Sequence, residues 1–151
     1  MDFDEALAPL EAKNEARQIL FGVKVNSKAD VVLIGKHAGR LNAAFQSLVT
    51  RLTKKHAAIL ATEDSAARRA VSNEIMAELY SKAVITGWEN VCVKGGAPLP
   101  FTVENCAAFL LALATRRPEI GSTGGSIEMY FSNPNNFCDG YGGDIEVLGE
   151  G

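Results

Sequence analysis

The hydrophobic positions along the chain change their period more than once. Residues 4–18 are rich in Ala, Glu, Leu and Lys, with Ala6, Leu7, Leu10 and Ala16 apolar and Pro9 where a first turn tolerates it, which predicts a short opening helix. Ile19-Leu20-Phe21-Gly22-Val23-Lys24-Val25 and Val31-Val32-Leu33-Ile34 are β-branched runs separated by Asn26-Ser27-Lys28-Ala29-Asp30, whose residues suit a turn; together they predict a β-hairpin over 19–34. From Leu41 the spacing becomes helical. Leu41, Phe45, Leu48, Leu52 and Ile59 fall on one stripe, flanked by Ala44 and Val49, with Arg51, Lys54 and Lys55 mostly outside it.

Thr62-Glu63-Asp64-Ser65 offers capping groups for a second helix, whose apolar face of Val71, Ile75, Leu79, Met76, Tyr80 and Val84 is expected to end at Gly87. Two antiparallel helices joined by a short capped turn follow. Between Trp88 and Phe101, the residues Gly95, Gly96, Pro98 and Pro100 forbid helix and mark a loop pinned by aromatics at both ends. Thr102 can cap a third helix over 103–113, with Glu104 at its positive end and Cys106, Phe109, Leu110 and Leu113 buried. A fourth helix can start at Pro118-Glu119 and run toward Phe131. Gly121, Gly124 and Gly125 each cost it up to about 1 kcal/mol relative to alanine, so it is expected to be broken, short or formed only on binding. The expected fold is α+β and mainly α, a small N-terminal hairpin followed by an antiparallel bundle of three to four helices. Residues 1–134 form one domain in this reading, and 135–151, dense in glycine and acid, form a flexible tail.

Composition narrows the chemistry. With 151 residues, 47% hydrophobic and 22% charged, the chain suits one globular core, and a net charge of −3 gives no electrostatic reason to expect nucleic acid as the main partner. Cys92, Cys106 and Cys138 are widely spaced and form no Cys-x-x-Cys pair, as expected of reduced thiols. The acidic start and the shortness of the longest apolar run, 106–114, against the ~20 residues a membrane helix needs, lead to the expectation of a soluble cytoplasmic protein.

His37 and His56 lie outside any metal-ligand spacing, no Gly-x-Ser-x-Gly elbow is present, and Glu74 and Glu78 lack a histidine partner, so neither a metal, a cofactor nor catalysis is expected. Gly35-Lys36-His37-Ala38-Gly39-Arg40 is the best anion-binding candidate, a basic glycine-containing loop between strand and helix. It has three residues between its glycines where a P-loop has four, and Arg40-Leu41 follows instead of Lys-Ser/Thr. Arg51, Lys54, Lys55, His56, Arg68 and Arg69 would serve a nucleic-acid reading, although the polar backs of two helices account for them more simply.

Tyr80-Ser81-Lys82-Ala83-Val84-Ile85-Thr86-Gly87-Trp88-Glu89-Asn90-Val91, Gly96-Ala97-Pro98-Leu99-Pro100-Phe101-Thr102-Val103-Glu104-Asn105 and Gly39-Arg40-Leu41-Asn42-Ala43-Ala44-Phe45, in this chain with Pro118-Glu119-Ile120 and 133–137 downstream, carry a resemblance. Over roughly residues 31–137 the chain resembles the tail assembly chaperones of long-tailed bacteriophages. It departs at Gly121-Ser122-Thr123-Gly124-Gly125, where that family shows a continuous amphipathic helix. The resemblance implies a protein that coats the tape-measure protein in the host cytoplasm, keeps it soluble and is absent from the mature virion. It also implies the major tail tube protein, or a second copy of the chain, as further candidate partners, and a longer form made by ribosomal frameshifting. Trp88, Val91, Leu99, Phe101 and Phe109 are the candidate partner-binding residues, because they sit beside a loop too rigid for a linker, although packing of the loop onto the helices through Trp88, Phe101 and Phe109 is the more frequent use of such aromatics. A structural tail or head-completion protein is the alternative reading, and a nucleotide- or nucleic-acid-binding module the lesser one.

Overall fold

The computed structural model describes residues 7–8, 11–20 and 30–138. Three antiparallel strands and a set of helices share one core. β1 (Arg17–Leu20) pairs with β2 (Val32–Gly35) in the register Arg17↔Gly35 to Leu20↔Val32. The expected hairpin is present, although residues 21–29, which include most of its expected first strand and its turn, lie outside the described residues. The expected opening helix is absent over 11–18: residues 11–16 are irregular and Arg17 and Gln18 already belong to β1, while 4–6 and 9–10 lie outside the described residues. Pairing with β2 outweighs a weak helical propensity there.

α1 (Ala43–Lys55) carries the predicted stripe, burying Leu48 and Leu52. It starts two residues later than the pattern suggests because Asn42, in extended conformation, caps it, and it gives way at His56 to a single turn, α2 (Ala57–Leu60). Asp64 caps α3 (Ser65–Ala83) by accepting from Ala66 and Ala67 N–H at 3.1 and 3.2 Å.

α3 ends at Ala83, not at Gly87. Val84-Ile85-Thr86 is a β-branched run that favours extended backbone, and β2 presents a free edge to it. The result is a third strand, β3 (Ile85–Glu89), on the other side of β2 in the register Leu33↔Trp88, with an irregularity between Ile34 and Gly35. Thr102 accepts from Asn105 N–H at 3.0 Å and caps α4 (Val103–Arg116), which runs three residues beyond the expected end.

The anticipated break in the fourth helix is found. α5 (Pro118–Gly121) and α6 (Ser126–Ser132) are separate, joined through 122–125. Pro134–Phe137 then forms one 3-10 turn in which Phe137 is fully buried and Asn136 Nδ2 donates to Tyr130 O at 2.9 Å. The packed body therefore reaches Cys138, past the boundary expected at 134. The carbonyl of Phe137 also accepts Lys13 N–H at 2.8 Å, which fastens the N-terminal segment. Residues 139–151, the rest of the expected tail, lie outside the described residues.

The core gathers Val31 and Leu33 from the sheet side, Leu52, Tyr80 and Leu110 from the long helices, and Phe131 and Phe137 from the C-terminal turns. Burial of each large apolar side chain of this set contributes about 1.5–3 kcal/mol. α3 packs most extensively on α4. Among the described residues no helix is long and apolar enough to cross a membrane.

Candidate partner-binding surfaces

The five residues expected beside the glycine-proline loop are brought together. β3 carries Trp88 into the fold, and the loop returns over it. Val93 N–H donates to Ala97 O and Leu99 N–H to Val91 O, both at 2.8 Å, and Cys92 bridges to Pro98, with Gly95 and Gly96 at φ 104 and 95° turning the tip. The Trp88 indole Nε1–H donates to Leu99 O at 2.9 Å. Its ring meets Phe101 edge-on at 5.2 Å and Phe109 at 5.5 Å. Val91 is only 2% exposed, and Trp88, Leu99, Phe101 and Phe109 are half-buried against the core. This cluster makes the loop rigid, and what the loop offers outward is Val93.

The Gly35-to-Arg40 loop stitches strands to helices. Lys36 N–H donates to Val84 O and Ala38 N–H to Phe131 O, both at 2.8 Å, so these two amides are taken within the fold and are not presented to an anion. The same Phe131 carbonyl accepts from His37 Nδ1 at 3.0 Å, which puts the ring proton on Nδ1. The ring of His37 lies edge-on to Phe137 at 5.2 Å. Burial holds the His37 pKa below its ordinary value, the Phe131 hydrogen bond opposes that and Arg40 adds to it. Arg51, Lys54, Lys55, Arg68 and Arg69 are exposed, as solvated helix backs are. Among the described residues no group of three or more His, Cys, Asp or Glu could hold a metal ion. Cys106 is fully buried, and burial pushes its thiol pKa up to about 12.

A surface that the sequence did not single out lies between α3 and α4. Val103 and Leu111, 39 and 38% exposed, stand eight residues apart with Ala107 between them, so all three follow one side of α4. They form the apolar wall of a groove of about 360 Å³, whose other wall comes from α3 with Glu74, Ala77 and Glu78. Glu78 pairs with Lys82 at 3.4 Å, whereas Glu74 and Glu104, also lining the groove, make no ion pair among the described residues. The signal was a second stripe: 103, 107 and 111 run beside Cys106, Leu110 and Leu113, and only the latter stripe is covered.

No curated protein and no solved structure matches the chain. A protein family described as YdaY prophage protein matches residues 41–130. That span runs from the start of α1 into α6 and takes in β3, the Trp88 loop and both walls of the groove. It covers more than half of the 151 residues, and the chain therefore belongs to the YdaY prophage protein family and is phage-related.

Proposed function

We propose that this prophage protein is a tail assembly chaperone, which binds the tape-measure protein, keeps it soluble and helps recruit tail tube subunits. The observation that carries the reading is the groove between α3 and α4. An apolar stripe of Val103, Ala107 and Leu111, rimmed by Glu74 and Glu104, suits the apolar face of an amphipathic helix with basic flanks. The tape-measure protein is a long helical partner, and many shallow contacts of this kind along it would let the chaperone leave when tube subunits arrive. The role proposed is to hold a partner. The sequence resemblance implies the cytoplasm of a bacterial host as the setting, and the prophage family supports a phage-related role.

Co-expression with the long protein encoded directly downstream tests the proposal. Soluble co-purification of the two, with this chain absent from finished particles, is the expected result. A partner that aggregates regardless, together with this chain present in finished particles, would replace the chaperone by a structural tail or head-completion protein.

A further inference from the structure

A second cavity, of about 280 Å³, lies where α1, α3 and α6 meet. Its apolar lining includes Phe45, Ile75, Met76 and Leu79, and Tyr80 and Glu128 line it too. Tyr80 is 2% exposed, its ring held edge-on by Phe45 at 6.3 Å and by Phe131 at 6.4 Å. Its hydroxyl has no hydrogen-bond partner among the described residues. Buried phenols are ordinarily satisfied, so an orphaned one at a cavity wall marks a position where a ligand group completes the bonding. Burial, and then the Glu128 carboxylate, push its pKa well above the ordinary phenol value, and it stays a neutral group able to donate and to accept.

Glu128 is half-buried and oriented: its Oε1 accepts Gly124 N–H at 3.0 Å, and Oε2 makes no hydrogen bond or ion pair among the described residues. The cavity falls below the roughly 300–1,000 Å³ of sites for drug-sized molecules, so its capacity matches one long side chain. The polar members of the lining are the hydroxyls of Ser72, Tyr80, Thr123 and Ser132 and one carboxylate, Glu128; a single negative charge beside an apolar wall asks for an aliphatic stem that ends in hydrogen-bond donors and positive charge. A compact ammonium can serve single oxygens from different residues. A guanidinium prefers both oxygens of one carboxylate, and one oxygen of Glu128 is already engaged.

We infer that the cavity between α1, α3 and α6 receives a lysine side chain from a protein partner, its stem against Phe45, Ile75, Met76 and Leu79 and its ammonium between Glu128 and the Tyr80 hydroxyl. The inference rests on the partner-holding role proposed above and adds a second, charge-selective contact to the groove. Its test begins with the full chain alone, titrated at constant ionic strength with n-butylamine, n-butylguanidine and butyrate, each followed by the NMR signal of the Met76 methyl group.

n-Butylamine is expected to bind in the millimolar range and butyrate not to bind. Glu128→Gln, which retains an oxygen for Gly124 N–H, is expected to weaken n-butylamine at least about tenfold, and Tyr80→Phe to weaken it less. Equal shifts from butyrate, or amine binding unaffected by Glu128→Gln, would overturn the inference; stronger binding of n-butylguanidine would overturn the choice of lysine. Unfolding curves of both variants show whether they are folded, and the amine-over-butyrate preference of the unaltered chain tests charge selectivity without any variant. In co-expression, Glu128→Gln is expected to lower capture of the downstream protein, and unchanged capture overturns the partner lysine. Glu128-dependent amine binding with no capture of that protein by the unaltered chain supports the cavity's chemistry while the chaperone reading falls.

Discussion

Asn42, just before α1, is hydrogen-bonded to Ala83, the last residue of α3: its Nδ2 donates to the Ala83 carbonyl at 2.7 Å while its Oδ1 accepts Phe45 N–H at 3.1 Å. One side chain, 3% exposed, thus caps one helix and satisfies the end of another, where the chain turns from α3 into β3. Asn42→Ala removes both bonds and leaves a carbonyl without its partner, so a loss of about 2–4 kcal/mol is expected in urea unfolding. Asn42→Ser keeps a capping oxygen but not the Ala83 bond, and about 1 kcal/mol of that loss should return. Equal stability of all three proteins would show that the bond contributes nothing.

Gly121 sets how closely α5 approaches α4. A Cβ there would lie 2.7 Å from Ala114 N and 2.9 Å from Leu113 C, both backbone atoms that cannot swing aside. Gly121→Ala is therefore expected to push the two segments apart and cost about 1–3 kcal/mol, read as a lower midpoint in thermal unfolding. Thr123→Ala, two residues on and exposed, should change stability by no more than about 0.5 kcal/mol.

That glycine also shows how far the sequence could be read. Gly121, Gly124 and Gly125 announced a broken helix through backbone propensity alone, and Asp64 and Thr102 announced helix starts through their side-chain oxygens; these are local signals. The span 84–87 was harder, because Val84 continues a helical stripe and also begins a β-branched run, and the choice depends on a β2 edge fifty residues away in sequence. Phe137 was hidden differently. The glycine-rich composition after it argued for a tail, while one aromatic with an accessible core position outweighs composition. At the candidate site, Trp88, Phe101 and Phe109 were legible as a group because one loop joins them. Val103, Ala107 and Leu111 were not: α4 has adjacent apolar stripes, and which one stays uncovered is decided by where α3 packs.

His37 couples stability to pH. Its native pKa is lowered from the ordinary 6.5, chiefly by burial, so the unfolded chain binds the proton more readily than the folded one. Its contribution is complete above 6.5 and is lost as pH falls from there toward the lowered native value. Unfolding free energy should accordingly decline across that interval, and His37→Gln should flatten the decline whatever it does to stability near neutrality. An equal slope in both proteins would assign the pH dependence to other groups. Protonation from the native state would fall on Nε2, since Nδ1 already donates to Phe131 O.

Leu111 separates holding a partner from being folded. It is 38% exposed on the outer side of α4, so Leu111→Asp removes part of its buried apolar area and a good helix former, and should lower unfolding free energy by about 1–2 kcal/mol while the chain stays folded. In the groove the same change places a carboxylate where an apolar partner face would lie, and beside Glu104 and Glu74 it adds like charge to the rim. Capture of the downstream protein should be lost from a variant that still unfolds cooperatively. For the unaltered chain, capture should weaken from low salt to about 1 M, where screening shortens to roughly 3 Å, because basic flanks meeting the acidic rim contribute part of the attraction. Lost capture by a variant that is still folded would locate the docking surface on α4. Retained capture would move it off the groove, leaving the loop tip around Val93 as the next apolar surface to alter.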